Sequence, residues 1–473
     1  MTSGQPSAHL TRRDAARARA EAGAHRAVRR RQLTQRTPDT GGRERDRPLV
    51  GGSLLMIASL LALAWVAAEQ PGLPGHFAND EGTIISVNRG TFTEADSSFR
   101  LIAAVYRGMG LAELPTLAAL VGVASYLLVL TVAISRTRTT AAEWVDWAII
   151  ISCVALAAVY HGAYTKDLLT VGTVLALIAH RGRGLSAELV PVAAMLLYAQ
   201  GFRTYWFLVA GLYLALRLAL RARRGWTATV AVVLVLYAGL SVVFPLIVGV
   251  DLDHYRLTVN EHRSAESVNT LIVQFFPGAG PVSGFVNSVL TFASFIIPIP
   301  LMLRGGAIYL VVALVLLVIW GSLIAAIRSA RLRAPRGSSV LTAFQNRLFA
   351  AILAFLIVQS IFEPDYGSFL RHLTPMLIVT VCLLLSLRPG ATGASARVGA
   401  AVRRIPKGSA TRGHDGCCRD AHVGCDSRPG ERTRCSEHTG RRECLVTIGV
   451  GEDLLQRVGE RGRRHRRGHD ARS

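Results

Sequence analysis

"QNRLFAAILAFLIVQSIFEPDYGSFLRHLTPMLIVTVCLLLSLR" occupies residues 345–388 and consists of two apolar runs joined by a short polar connection. The runs, 345–362 and 372–388, are each long enough to cross hydrocarbon as a helix. Backbone groups in lipid find no water to bond, so such runs fold as helices rather than as open strands. Pro364 and Gly367 supply turn geometry between them. Glu363, Asp365, Arg371 and His372 crowd into ten residues at that turn. Ionisable groups at the edge of hydrocarbon are costly unless paired or wetted, so this density asks for a reason. An interfacial cap in which Asp365 and Arg371 simply pair is the plain alternative to a site.

Working outward, similar apolar runs fill 49–68, 115–134, 143–160, 166–180, 186–202, 204–220, 226–249 and 306–327. With 51% hydrophobic residues arranged this way, the fold class is all-α: a polytopic transmembrane bundle of about ten spans. The fourth to sixth runs are short and read as tilted or partly re-entrant. The apolar segment 284–303 carries Pro298 and Pro300, which break a simple helix. Counting it as a span would also place the arginines of 328–336 on the wrong side, so it reads as re-entrant or interfacial.

Arginine placement sets the orientation. Arg136 and Arg138, Arg181 and Arg183, Arg221 to Arg224, Arg328 to Arg336 and both tails are expected to face the cytoplasm. The extracytoplasmic loops are then 69–114, 161–165, around 203, 250–305 and 363–371. Segment 95–114 has apolar positions at helical spacing with Arg100 and Arg107 between them, and reads as an amphipathic surface helix.

The formal net charge is +22, but residues 1–48 and 390–473 carry +7 and +8 of it. These are read as disordered basic cytoplasmic tails that meet anionic lipid, not as nucleic-acid binders, because no recognisable module or aromatic interleaving accompanies the charge. The first apolar run follows 48 residues, too many for a short secretory n-region, so it is expected to stay as an anchor. Five of seven cysteines, Cys417, Cys418, Cys425, Cys435 and Cys444, lie in the second tail without a C-x-x-C pair or finger spacing. No metal and no cofactor are expected.

Three further polar strings fall on the same side. "QGFRTYW" (200–206) puts Arg203 at the outer mouth, where a guanidinium offers a bidentate donor to phosphate. Tyr205 and Trp206 beside it are equally at home as interfacial anchors. "DLDHYRLTVNEHRSAES" (251–267) mixes acids and histidines with Arg256 and Arg263; its D-x-D-H is a weak metal pattern, and a solvated charged loop is the plain reading. "HFANDEGTIISVNRG" (76–90) pairs Asp80 with Glu81, acids suited to deprotonating a hydroxyl, or else an ordinary loop turning at Gly82. No P-loop, dinucleotide glycine pattern, H-E-x-x-H or G-x-S-x-G occurs at a plausible place. The span middles hold almost no ionisable residues, which argues against an ion-coupled transporter.

The 362–375 string "FEPDYGSFLRHLTP", the F-R-x-Y-W element at 202–206 and the ten-span plan resemble bacterial polysaccharide polymerases of the O-antigen and exopolysaccharide type. The resemblance covers 49–388 in architecture and two short strings in residues. It implies a plasma-membrane glycosyltransferase that joins undecaprenyl-diphosphate-linked repeats at the extracytoplasmic face, with the bilayer and polysaccharide-assembly proteins as partners and neither nucleotide sugar nor metal. Such enzymes often carry a larger late outer loop than 363–371; here 250–305 fills that place. Under this reading Arg203, Arg371 and Arg263 clamp diphosphate, and His372, Glu363 or Asp365 acts as base. One rival is a membrane glycosyltransferase using a single polyprenyl-phosphate sugar, centred on Asp80 and Glu81. A non-enzymatic exporter of lipid-linked sugar is the other.

Overall fold

The computed structural model describes residues 41–73, 79–92, 96–137, 142–180, 184, 186–222, 226–261, 270–304, 306–334 and 340–388. Most of both basic tails, the tail cysteines, His262 and Arg263 lie outside the described residues.

In chain order the helices are α1 (Gly41–Ala67), α2 (Asn79–Asn88), α3 (Ser97–Gly108), α4 (Pro115–Thr137), α5 (Trp144–His161), α6 (Leu168–Ala179), α7 (Leu189–Gly201) and α8 (Trp206–Ala222). They continue with α9 (Trp226–Val248), α10 (His254–Glu261), α11 (Pro281–Ile296), α12 (Ile299–Arg304), α13 (Gly306–Arg333), α14 (Ala343–Phe362) and α15 (Tyr366–Leu387). Among the described residues there is no strand beyond an isolated bridge between Leu271 and Asp365. Seven helices, α1, α4, α5, α9, α13, α14 and α15, are long and apolar enough to cross a membrane, and α6 and α11 are shorter apolar helices. The protein is therefore an all-α polytopic helical membrane protein.

α14 and α15 form the centre. Of their apolar windows, 94% and 89% is buried, against 17% for α1 and α9, which must present their apolar faces to lipid. Thr342 and Gln345 exchange hydrogen bonds in a capping box that starts α14. Glu363 is driven extended (ψ 123°) ahead of Pro364, which ends the helix there. Two residues later Asp365 accepts from Ser368 N at 2.7 Å and starts α15. The connection is thus only 363–365, tighter than the loop 363–371 expected from the sequence. Arg371 and His372 consequently sit on the second turn of α15, where helix geometry fixes their direction.

Segment 281–304 leaves and returns at one end of the bundle. Its start is tied to the end of α9 by Gly280 N donating to Asp251 Oδ2 at 2.7 Å. Beyond its end, Tyr309 lies beside Gly367 at the start of α15. Between these points the chain breaks at Ile297–Pro298, separating α11 from α12. Within 95–114, α3 is an amphipathic helix: Ser98, Ile102, Ala103 and Tyr106 are buried at helical spacing while Leu101 is exposed. Segment 76–90 departs from the loop reading: Asn79–Asn88 is helical, with Gly82 inside it and Asp80 and Glu81 in its first turn. Acids there complement the positive end of the helix dipole.

The arginine-rich end is knotted by ion pairs. Glu188 accepts from Tyr213, from Arg217 and from Arg347 Nε (3.0 Å), with Arg221 at 3.8 Å. Burial opposes its ionisation, but the hydrogen bonds from Arg347, Arg217 and Tyr213 pull its carboxyl down to about 2. Alongside, Arg388 donates to Asp146 at 2.6 and 3.0 Å, and Arg136 reaches the Ala179 carbonyl at 2.7 Å. These arginines lock helix ends to one another.

Candidate functional site

At the opposite end the helix termini converge on one carboxylate, Asp167, which directly precedes α6. Its local shape is set by Thr165, whose hydroxyl accepts from Asp167 N (3.1 Å) and lies 3.3 Å from Asp167 Oδ2. The 162–167 connection is pinned from outside by α3, where Tyr106 donates to the Thr165 carbonyl at 3.1 Å. Tyr164 donates to the Leu111 carbonyl. Gly122 of α4 abuts the His161 carbonyl where a side chain would not fit, which lets α4 and α5 close up beneath the site.

Two arginines from different parts of the chain meet Asp167. Arg203, in the turn between α7 and α8, approaches Oδ1 at 3.3 Å; Arg371 of α15 approaches Oδ2 with Nε at 3.5 Å. Arg371 also reaches Asp80 of α2, Nη1 to Oδ2 at 3.1 Å. On the next residue of α15, His372 places Nδ1 2.5 Å from Glu363 Oε1, and its Nε2 lies 4.0 Å from Asp167 Oδ2. Nε2 has no hydrogen-bond partner, and in the tautomer that carries its proton on Nδ1, donated to Glu363, it is an acceptor.

Burial alone would neutralise Asp167, yet the guanidinium groups of Arg203 and Arg371 hold its carboxyl well below the usual carboxylate range. It is a fixed negative charge that orients guanidinium groups, unsuited to accepting a proton near neutrality. Glu81, on the same turn as Asp80, moves the other way, pushed up by burial and by Glu69. The cluster is not sealed: the side chains of Arg371 and Arg203 keep 23% and 13% of their surface exposed.

Of the residues singled out from sequence, Arg203, Arg371, His372, Glu363 and Asp80 come together in this one network, joining the two sets assigned to rival chemistries. Glu81 lies beside it on α2. Asp365 is used differently: its carboxylate caps α15 through Ser368, and its backbone bridges Leu271. Arg263 lies outside the described residues. In the D-x-D-H string, Asp251 accepts from Gly280 N, Asp253 approaches Arg256 at 3.5 Å and His254 approaches Thr258 at 3.4 Å. Among the described residues no group of three or more histidine, cysteine or acidic side chains is placed to hold a metal ion.

Sequence reasoning missed Asp167 and Lys166 because it began the fourth span at 166 and so put both inside an apolar run. A signal was present: Lys166 is one of two lysines in the chain, and Thr-Lys-Asp is the polar group between α5 and α6. Comparison with models of known protein families, with curated proteins and with solved structures returned no match.

Proposed function

We propose that the chain is a plasma-membrane glycosyltransferase that polymerises oligosaccharide repeats carried on undecaprenyl diphosphate, at the extracytoplasmic face of a bundle of about ten spans whose tails are cytoplasmic. The observation that carries the reading is the convergence of two arginines and a carboxylate-backed histidine at one end of a greasy bundle. Displacing a lipid diphosphate by a sugar hydroxyl needs cations at the departing diphosphate and a base at the attacking oxygen. Arg203 and Arg371, pre-oriented by Asp167, supply the first. His372 supplies the second: Nε2 takes the acceptor hydroxyl proton as the oxygen bonds to the anomeric carbon. The carbon–oxygen bond to diphosphate breaks, and the polyprenyl diphosphate leaves with its electron pair. Glu363, holding Nδ1–H, stabilises the imidazolium that results.

Arg371→Ala is expected to abolish polymer in a complementation assay at normal membrane levels of protein, with single repeats accumulating on lipid. Normal polymer length would overturn the assignment. The contact between Arg371 and Asp80 favours a second reading, transfer of one sugar from a polyprenyl monophosphate with Asp80 central. In that case the Arg371 variant leaves an undecorated acceptor instead of stalled single repeats.

A further inference from the structure

Lys166 is the cation that the network does not neutralise. The residue is 7% exposed. Its Nζ donates to Ser98 Oγ at 2.9 Å and lies 3.6 Å from the centre of the Phe99 ring, both on α3. Among the described residues no carboxylate comes within ion-pair distance of it, whereas Arg203 has one and Arg371 two. Burial and the nearby Arg203 charge both weaken its hold on a proton, and Asp80, Asp96 and Asp167 offset this only from farther away. A buried ammonium held beside a second cation, with only a hydroxyl and a ring for company, is an expensive arrangement unless an anion joins it.

The chemistry of the three cations differs usefully. Arg203 and Arg371 are planar forks whose aim is fixed by Asp167 and Asp80, suited to one phosphoryl group; Lys166 is a compact point charge on a flexible stem. It adjoins Asp167 in sequence and is felt by Arg203, so an anion bridging Arg203 and Lys166 extends from the arginine pair towards α3. Resting on the proposed function, we infer that Lys166 is a specificity-determining residue that contacts the second phosphoryl group of the donor, so that the site prefers a polyprenyl diphosphate to a polyprenyl monophosphate. Ser98 and Phe99 park the ammonium until that phosphate arrives.

The test uses full-length protein in detergent and two probes with the same tail, farnesyl diphosphate and farnesyl monophosphate. Wild type is expected to bind the diphosphate about tenfold more tightly, the scale of one charge-assisted hydrogen bond. Lys166→Gln should lose that advantage and keep its monophosphate affinity, which also reports that it is folded; Lys166→Arg should restore part of it. An unchanged preference in Lys166→Gln overturns the proposal, as does equal weakening towards both probes or the absence of any preference in wild type. If neither probe binds wild type, the failure belongs to the underlying polyprenyl-phosphate reading, and the role of Lys166 falls with it.

Discussion

Asp167 shows how one side chain settles what its neighbours can do. Its carboxylate holds two guanidinium groups from turns that are distant in sequence; without it Arg203 would lose its ion-pair partner and Arg371 would keep only Asp80. Breaking such a pair typically costs about 3–5 kcal/mol. Asp167→Asn is therefore expected to lower the thermal midpoint of the purified protein markedly as well as abolish activity. A variant inactive yet as stable as wild type would show that the arginines need no such tether. The same residue was the hardest to read in advance. A carboxylate flanked by apolar runs looks like the first residue of a helix, and nothing local reveals that Arg203 and Arg371 will arrive there.

At the level of helices, legibility followed locality. Runs as long as α14 and α15 declare themselves by hydropathy, and the 363–365 turn by its proline. The amphipathic period of α3 and the Pro298 break were readable for the same reason. Asp80 and Glu81 were noticed, but their helix was not, because Gly82 and two acids mimic a turn when the stabilising dipole and packing are unseen. The Glu188 knot was missed altogether, since its partners are contributed by α8 and α14. That knot makes a pH prediction. Glu188 has a folded value near 2 against an ordinary value of 4.5, so its stabilisation is fully present above about 4.5 and is lost as pH falls towards 2. The difference in melting temperature between wild type and Glu188→Gln should be constant from pH 8 to 5 and shrink below 4.5. A difference that grows on acidification would refute the assignment.

For the molecule as a whole, the two ends of the bundle carry different chemistry, and the proposed orientation can be measured. In a background without the seven native cysteines, Met109→Cys and Tyr255→Cys place exposed thiols (48% and 46%) at the end that holds Asp167. Leu332→Cys (88% exposed) places one at the end of the Glu188 knot. A membrane-impermeant maleimide added to intact cells should label the first two and spare the third. The reverse pattern would turn the protein over and remove the extracytoplasmic reaction with it.

α14 connects these two ends as a single rod about 30 Å long. Arg347 is bolted to Glu188 near its start, and Glu363, just past its end, grips His372. A rod fastened at both ends cannot slide like a piston without tearing one fastening. On the proposed function, admission of a bulky lipid-borne chain comes from sideways parting of the least buried helices, α1 or α9, while the spine of the molecule stands still.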